Sequence, residues 1–140
     1  MADEPYFLLY YSAASHLMSD AELEEILAVS RRTNPCLGIS GMLLYGEGGF
    51  VQLLEGERER VRALFDRIAR DPRHSRVFLA LDGRTPARQF PDWSMGFRRV
   101  DRRLLAERSG SSHLMDASVP LDEIWKDPHP AYRMLLSFRQ

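Results

Sequence analysis

Apolar and polar positions in the first part of the chain predict a strand followed by a helix. Residues 6–12 are apolar or aromatic on both alternating faces, which is typical of a strand covered from both sides. Residues 19–22 have the form of a capping box, and apolar side chains follow at helical spacing. Because Pro35 disfavours helix at the residue before it, we expect this helix to end at Asn34.

The following residues predict a hairpin, a second helix and two more strands. The hairpin turns at the glycine-rich stretch 46–49, and the second helix carries apolar side chains three and four positions apart. Two prolines lie in the polar loop before the last strand. The expected bounds are 37–45 and 50–55 for the hairpin strands, 57–70 for the helix, and 77–81 and 93–100 for the later strands.

This order predicts an α+β fold of the ferredoxin-like class, β-α-β-β-α-β with a fifth strand and both helices on one sheet face. The central strands are apolar on both faces, so something else must cover the second face. We expect residues 1–100 to form the core and residues 101–140 to pack on that face as a helical segment of the same domain. The segment offers two apolar clusters, at 121–125 and 132–138, and no effector domain is expected after residue 100.

Composition narrows the functional classes. The 140 residues suit one domain, and 19 basic against 20 acidic side chains give no electrostatic footprint for nucleic acid. A solvated strand end explains the basic run 98–103 at least as well as nucleic-acid binding. Cys36 is the only cysteine and the histidines lack metal-ligand spacing, so neither a disulfide nor a metal site is expected. No signal peptide or membrane-length apolar segment is evident, and we expect a cytoplasmic protein.

Two polar side chains occupy positions where the pattern calls for apolar ones. Gln52 shares a strand face with Phe50 and Leu54, and a buried amide without partners costs roughly 1–3 kcal/mol. A glutamine facing water from an edge strand is an equally good interpretation. Tyr10 has a corresponding place on the first strand, where a core tyrosine bonded to a backbone carbonyl is the ordinary alternative.

Ser30 and Asn34 continue the apolar stripe of the first helix. By themselves they are best explained as residues that satisfy backbone groups near the helix end. The expected topology, however, brings the first strand, the third strand and the first helix together. Tyr10, Gln52, Ser30 and Asn34 can then line one pocket with polar tips and apolar walls, which is the anatomy of a cofactor site.

Other candidates carry less information. Arg73 and His74 follow the second helix, where they can meet a phosphate or a ring carbonyl or form an exposed basic turn. Trp93 and Met95 are expected on one face of the last strand, and core packing accounts for them. A glycine-rich phosphate loop and a nucleophile elbow are both absent from the sequence, so nothing points to hydrolytic chemistry.

At these positions the sequence resembles the BLUF domain family, blue-light sensors that use FAD, and in particular its short stand-alone members. The resemblance covers roughly residues 6–100, with its motifs in the right order and spacing. The matching stretches are LYYS at 9–12, SRRTN at 30–34, GISGMLLY at 38–45, FVQLLEG at 50–56, RDPRH at 70–74 and FPDWSM at 90–95.

The resemblance implies a photoreceptor that is not an enzyme and that holds FAD non-covalently between the two helices. FMN and riboflavin remain alternatives for the bound flavin. Tyr10 and Gln52 would be the photoactive pair, whose light reaction ends with a rotated or a tautomeric glutamine amide. Asn34 would hydrogen-bond the flavin ring, with Ser30 nearby.

The family pattern also implies roles for the weaker candidates. Arg73 and His74 would lie near the carbonyl edge of the ring or its phosphate tail, and Trp93 and Met95 match a mobile pair on the last strand. The signal would pass to a downstream protein of unknown identity, or to a second copy in a homodimer. Neither nucleic acid nor a membrane is expected as a partner.

Two alternatives belong to other functional classes. A small acylphosphatase-like enzyme would need a phosphate-cradling loop between the first strand and the first helix, but residues 13–19 contain neither glycine nor arginine. A colourless ferredoxin-like module for ligand binding or oligomerisation is the other. The colour of the purified protein separates these readings from a flavin photoreceptor.

Overall fold

The chain forms a five-stranded sheet with helices on both faces, as seen in a computed structural model that describes residues 4–109, 115 and 127–138. None of the helices within these ranges is long and apolar enough to cross a membrane. The elements are β1 (Tyr6–Ala14), α1 (Asp20–Leu37), β2 (Ser40–Gly46), β3 (Gly49–Gly56), α2 (Arg58–Ala69), β4 (His74–Arg84), β5 (Gly96–Arg99), α3 (Arg102–Ser109) and α4 (His129–Ser137).

The strands lie in the order β4-β1-β3-β2-β5. The first four are antiparallel neighbours, and β5 adds to β2 in the parallel direction. The expected α+β, ferredoxin-like class with a fifth strand is therefore confirmed. β1 and β3 occupy the centre of the sheet, which explains why their sequences are apolar on both alternating faces.

Strand alternation divides the interior into two cores. Leu8 and Tyr10 of β1 lie on the face covered by α1 and α2, while Leu9 lies on the opposite face. That second face is covered by α3 and α4, whose Leu105 and Met134 are fully buried. The expectation that the C-terminal segment covers this face is confirmed through the apolar cluster at 132–138. The cluster at 121–125 lies outside the described residues.

The first helix does not end at Asn34, as its sequence predicted. Pro35 lies inside α1, which ends at Leu37 with Gly38 in the left-handed conformation, at φ 67°. The Gly38 N–H bonds to the carbonyls of Asn34 and Pro35 and so satisfies the end of the helix. This glycine cap, together with the burial of Asn34, keeps the proline-containing last turn helical.

The hairpin turn has two residues, Glu47 and Gly48, with φ values of 53° and 77°. Two successive positive φ angles are those of a type I′ turn, whose twist matches that of the flanking strands. The next strand, β4, is longer than the predicted 77–81, because it pairs with β1 from Ala14 to Tyr6.

The last strand is shorter than the predicted 93–100. Trp93 and Met95 both precede β5, and they do not share a strand face as expected. Trp93 packs against the core beneath α3 and α4, whereas Met95 is buried in the core beneath α1 and α2. The reason is that residues 91–95 form turns and bends instead of extended strand, with the Trp93 N–H bonded to the Phe90 carbonyl at 3.3 Å, so strand alternation does not apply to them.

Candidate functional site

The centre of the site is a tyrosine–glutamine pair on the two middle strands. Tyr10 of β1 lies directly opposite Gln52 of β3 in the antiparallel register. Both side chains are buried, with exposures of 1% and 4%, and the Tyr10 hydroxyl donates to Gln52 Oε1. Because β3 has a neighbour on each side, the interpretation of Gln52 as an edge-strand residue facing water is wrong.

The other end of the Gln52 amide has a weaker partner. Its Nε2 donates to the sulfur of Met95 at 3.2 Å. A thioether sulfur is a poor acceptor compared with a carbonyl or carboxylate oxygen. The amide therefore makes a strong bond through its oxygen and a weak one through its nitrogen.

Burial also fixes the protonation of Tyr10. Removal of the hydroxyl from water raises its pKa far above the ordinary range, and the nearby carboxylate of Asp71 adds to that effect. The phenol is therefore fully protonated at neutral pH. Its proton has Gln52 Oε1 as the hydrogen-bonded acceptor.

Asn34 brings a second amide to the site from the last turn of α1. Its side chain is 2% exposed, and its Nδ2 donates to the Ser94 carbonyl at 3.0 Å. Among the residues that the structure describes, no donor reaches Asn34 Oδ1. Since an unpaired buried acceptor costs about 1–3 kcal/mol, this oxygen is suited to an N–H donor from a ligand.

Ser30 lies one turn before Asn34 and also lines the cleft. Its hydroxyl donates to the Ile26 carbonyl at 3.0 Å, four residues back along the same helix. This is the common back-bond of a helical serine, so its proton is already engaged. Its oxygen can still accept a hydrogen bond from a ligand.

His74 closes the site from the start of β4. One of its ring nitrogens, Nδ1, is 2.7 Å from Ser12 Oγ, and its ring centroid is 5.0 Å from that of Phe50. Burial lowers the pKa of His74, while Asp71 raises it and Arg73 lowers it further. The imidazole is therefore neutral at pH 7, and the choice of tautomer depends on the bond to Ser12.

Arg73 is partly exposed, and its charge is paired. Its guanidinium makes paired bonds to both carboxylate oxygens of Asp71, at 3.1 and 2.6 Å to Oδ2 and 3.0 Å to Oδ1. This contact raises the pKa of Arg73 and lowers that of Asp71. The bidentate geometry holds a rigid ion pair at the rim of the cleft.

These side chains surround one cleft of about 190 Å³ between α1 and α2. Small-molecule sites span about 300–1,000 Å³, so the cleft encloses only part of a larger ligand. Its apolar walls come from both helices and from β2, and within the described ranges no cluster of side chains could hold a metal ion. The sequence-predicted residues that line it are Tyr10, Ser30, Asn34, Gln52, Arg73 and His74.

The remaining candidates divide. Met95 reaches the site through Gln52, whereas Trp93 lies against Phe90 on the other side of the sheet, with ring centroids 5.4 Å apart. Sequence reasoning missed Asp71 and Arg67, which also line the cleft. Arg67 directly precedes Ile68, which belongs to the apolar stripe of α2. Its place beside that stripe is the sequence signal that could have indicated a position at the cleft.

Comparison with known families gives a direct match. Residues 6–96 match the family model described as sensors of blue-light using FAD. The solved dark-state structure of BlrB, a BLUF protein, superposes with a TM-score of 0.75 at 33% identity, over 97% of this chain and 98% of that one.

Curated relatives share the same region within longer proteins. The blue light- and temperature-regulated antirepressor BluF of Escherichia coli is 35% identical over 93 residues, which are 64% of this chain and 23% of the relative. The photoactivated adenylate cyclase subunit beta of Euglena longa is 37% identical over 79 residues, 56% of this chain and 9% of the relative. The chain thus spans less than a quarter of the length of either relative.

Proposed function

This chain belongs to the BLUF family of sensors of blue light using FAD, and from that membership we propose that Tyr10 and Gln52 are its photoactive pair. The observation that carries the assignment is their buried hydrogen bond at the base of a cleft between two helices. Among the described residues, the hydrogen-bond acceptor of this buried, redox-active phenol is a side-chain amide, an arrangement suited to light-driven proton transfer.

Flavin binding is a property of the family, and the cleft has suitable groups for a flavin ring. The unpaired Oδ1 of Asn34 would accept from the ring N–H, and the weakly bonded Nε2 of Gln52 would donate to a ring nitrogen or carbonyl. Apolar side chains would cover the ring faces. We assign FAD as the bound form, and the ion pair of Arg73 and Asp71 at the rim of the cleft would be placed to meet its phosphate tail. Separation of the released flavin by chromatography distinguishes FAD from FMN and riboflavin.

When bound and excited by blue light, flavin supplies a strong one-electron oxidant. Tyr10 would supply the electron, and its hydroxyl proton would move along the existing hydrogen bond to Gln52 Oε1. The closed environment favours this route, because water has almost no access to the phenol. Return of the electron and the proton would restore Tyr10, and the Gln52 amide could then settle in another bonding pattern.

Gln52 is able to hold two patterns because one swivelling group carries both donors and an acceptor. In the dark pattern its oxygen accepts from Tyr10 and its nitrogen donates to Met95. Rotation or tautomerisation of the amide would exchange its donor and acceptor ends. The bond lost in that exchange on the Met95 side is only the weak one from Gln52 Nε2 to the sulfur. Two bonding patterns of one network would make the bistable element that a sensor requires.

We propose that sensing, and not catalysis, is the activity of this chain, and that the signal leaves through α3 and α4. In support, Trp93 precedes β5 next to Met95 and packs against the core under these two helices. Their receiver would be a separate protein or a second copy of the chain. Blue light should then raise amide hydrogen exchange more in α3 and α4 than in α1 and α2.

Infrared difference spectroscopy tests the pair assignment. The chain contains only three glutamines, Gln52, Gln89 and Gln140, so side-chain isotope labelling of glutamine gives a simple spectrum. Light-minus-dark spectra should contain glutamine amide bands that vanish in Gln52→Leu. If the labelled bands persist in this variant, the glutamine that responds to light is not Gln52.

A further inference from the structure

Glu55, at the end of β3, is an acidic side chain with no exposure to solvent. It stands three positions after Gln52, so its side chain points to the opposite face of the sheet, away from the cleft. Its two oxygens accept from successive backbone N–H groups, those of Gln89 at 2.7 Å and Phe90 at 2.8 Å. One short bond to each oxygen is the pattern of a carboxylate that fixes a backbone segment in place.

The chain runs from this anchor to the proposed switch in five residues. The Phe90 ring packs on the ring of Trp93, and the Trp93 carbonyl accepts from the Gly41 N–H at 3.0 Å. Two residues later the sulfur of Met95 meets the amide of Gln52. The position of that sulfur therefore depends on where Phe90 is held.

The segment between Phe90 and Gly96 is tightly packed. A Cβ atom at Gly96 would lie 2.4 Å from Cε3 of Trp93, so the ring and the start of β5 are in close contact. From the other side, Asn34 Nδ2 bonds to the Ser94 carbonyl and Arg31 Nε to the Met95 carbonyl, at 3.0 and 3.1 Å. The segment is thus held at Phe90 by Glu55 and at Ser94 and Met95 by α1.

We infer that Glu55 is a positioning residue of the light switch, which sets where the Met95 sulfur meets the Gln52 amide. Gln52 and Glu55, on one strand, hold the two ends of the same segment from opposite faces of the sheet. The inference rests on the proposed function, since it takes the contact between Gln52 and Met95 to be part of the dark pattern. Weakening the anchor removes a contact that favours this pattern, so return to the dark state slows.

The experiment is a double-mutant cycle on dark recovery after a blue-light pulse. Glu55→Gln keeps the size of the side chain but places an amide donor against one of the two backbone N–H groups. Glu57→Gln is the matched control, because its side chain is 63% exposed and lies outside the segment. We expect Glu55→Gln to slow recovery about fivefold and Glu57→Gln to leave it unchanged. In a Met95→Leu background, Glu55→Gln should alter recovery by less than about twofold.

Several outcomes would overturn the assignment of Glu55. One is that Glu55→Gln slows dark recovery equally with Met95 and with Met95→Leu. Another is that Glu55→Gln lowers the midpoint of thermal unfolding but leaves dark recovery unchanged. Failure of both Glu55→Gln and Glu55→Asp to bind flavin would also overturn it, since the carboxylate would then serve the fold. Failure of the proposed function has a different signature, because the unaltered protein would itself show no reversible spectral change.

Discussion

Tyr10 and Gln52 face each other across β1 and β3, and the tyrosine hydroxyl donates to the amide oxygen in a site closed to solvent. Apolar side chains surround both residues, so the hydroxyl donor and the amide acceptor satisfy each other. Removal of either one would leave a buried polar atom without its hydrogen-bond partner.

Removal of the tyrosine hydroxyl should abolish photochemistry without loss of the flavin. Tyr10→Phe keeps the ring and its packing, but it removes the hydroxyl proton that we propose passes to Gln52. We expect light-minus-dark absorption spectra without a reversible red shift. The matched control is Tyr11→Phe, which removes the buried hydroxyl on the opposite sheet face and should retain the shift. A full shift with normal dark recovery in Tyr10→Phe would contradict the assignment.

The same pair should be visible in stability measurements. Gln52→Leu loses the reversible shift and leaves the Tyr10 hydroxyl without its acceptor, which should lower the free energy of unfolding by about 1–3 kcal/mol. Adding Tyr10→Phe to this variant removes the stranded hydroxyl and should recover part of the loss. Denaturant unfolding of the apoproteins measures the coupling. Strictly additive effects would mean that the two side chains do not depend on each other.

Much of this site could be predicted from sequence because its polar residues interrupt apolar patterns. Gln52 lies in the middle of an apolar strand, and Tyr10 lies on the neighbouring strand. The ferredoxin-like order of elements was enough to predict that the two residues are close together. The apolar stripe of α2, which lines the other side of the cleft, was equally visible.

Other features depend on tertiary contacts that local patterns do not contain. Pro35 predicted a helix end, but the Gly38 cap and the burial of Asn34 extend the helix beyond it. Alternation placed Trp93 and Met95 on one face, whereas a turn before β5 sends them to opposite sides of the sheet. The contacts of Glu55 with Gln89 and Phe90 join residues more than thirty positions apart, and no motif signals them.

Asn34→Ala should weaken flavin binding without abolishing the reversible red shift. The change removes the unpaired Oδ1 offered to the ligand and the bond to the Ser94 carbonyl. Loss of the one hydrogen bond to the flavin corresponds to roughly a tenfold rise in the Kd for FAD. Fluorescence titration of the apoprotein measures it, with Arg32→Ala on the exposed side of α1 as the control. An unchanged Kd would remove Asn34 from the binding site.

His74 should make stability depend on pH in the mildly acidic range. Burial lowers the pKa of the folded-state imidazole below 6.5, so the unfolded chain binds the proton first as the pH falls. Stability is therefore complete above about pH 6.5 and decreases below it, towards the pKa of the folded state. Thermal unfolding from about pH 7.5 to about pH 5.5 should show a smaller decrease for His74→Asn than for the unaltered protein. Equal decreases would assign the effect to other groups.

The absorption spectrum of the purified protein, recorded in the dark, after blue light and again after dark recovery, tests the central claim most directly. We expect a yellow protein whose flavin bands move to longer wavelength on illumination and return fully in the dark. The bands should report a flavin that is released intact on denaturation. A colourless protein that fails to take up added FAD, or a bound flavin whose spectrum does not respond reversibly to blue light, would contradict the account.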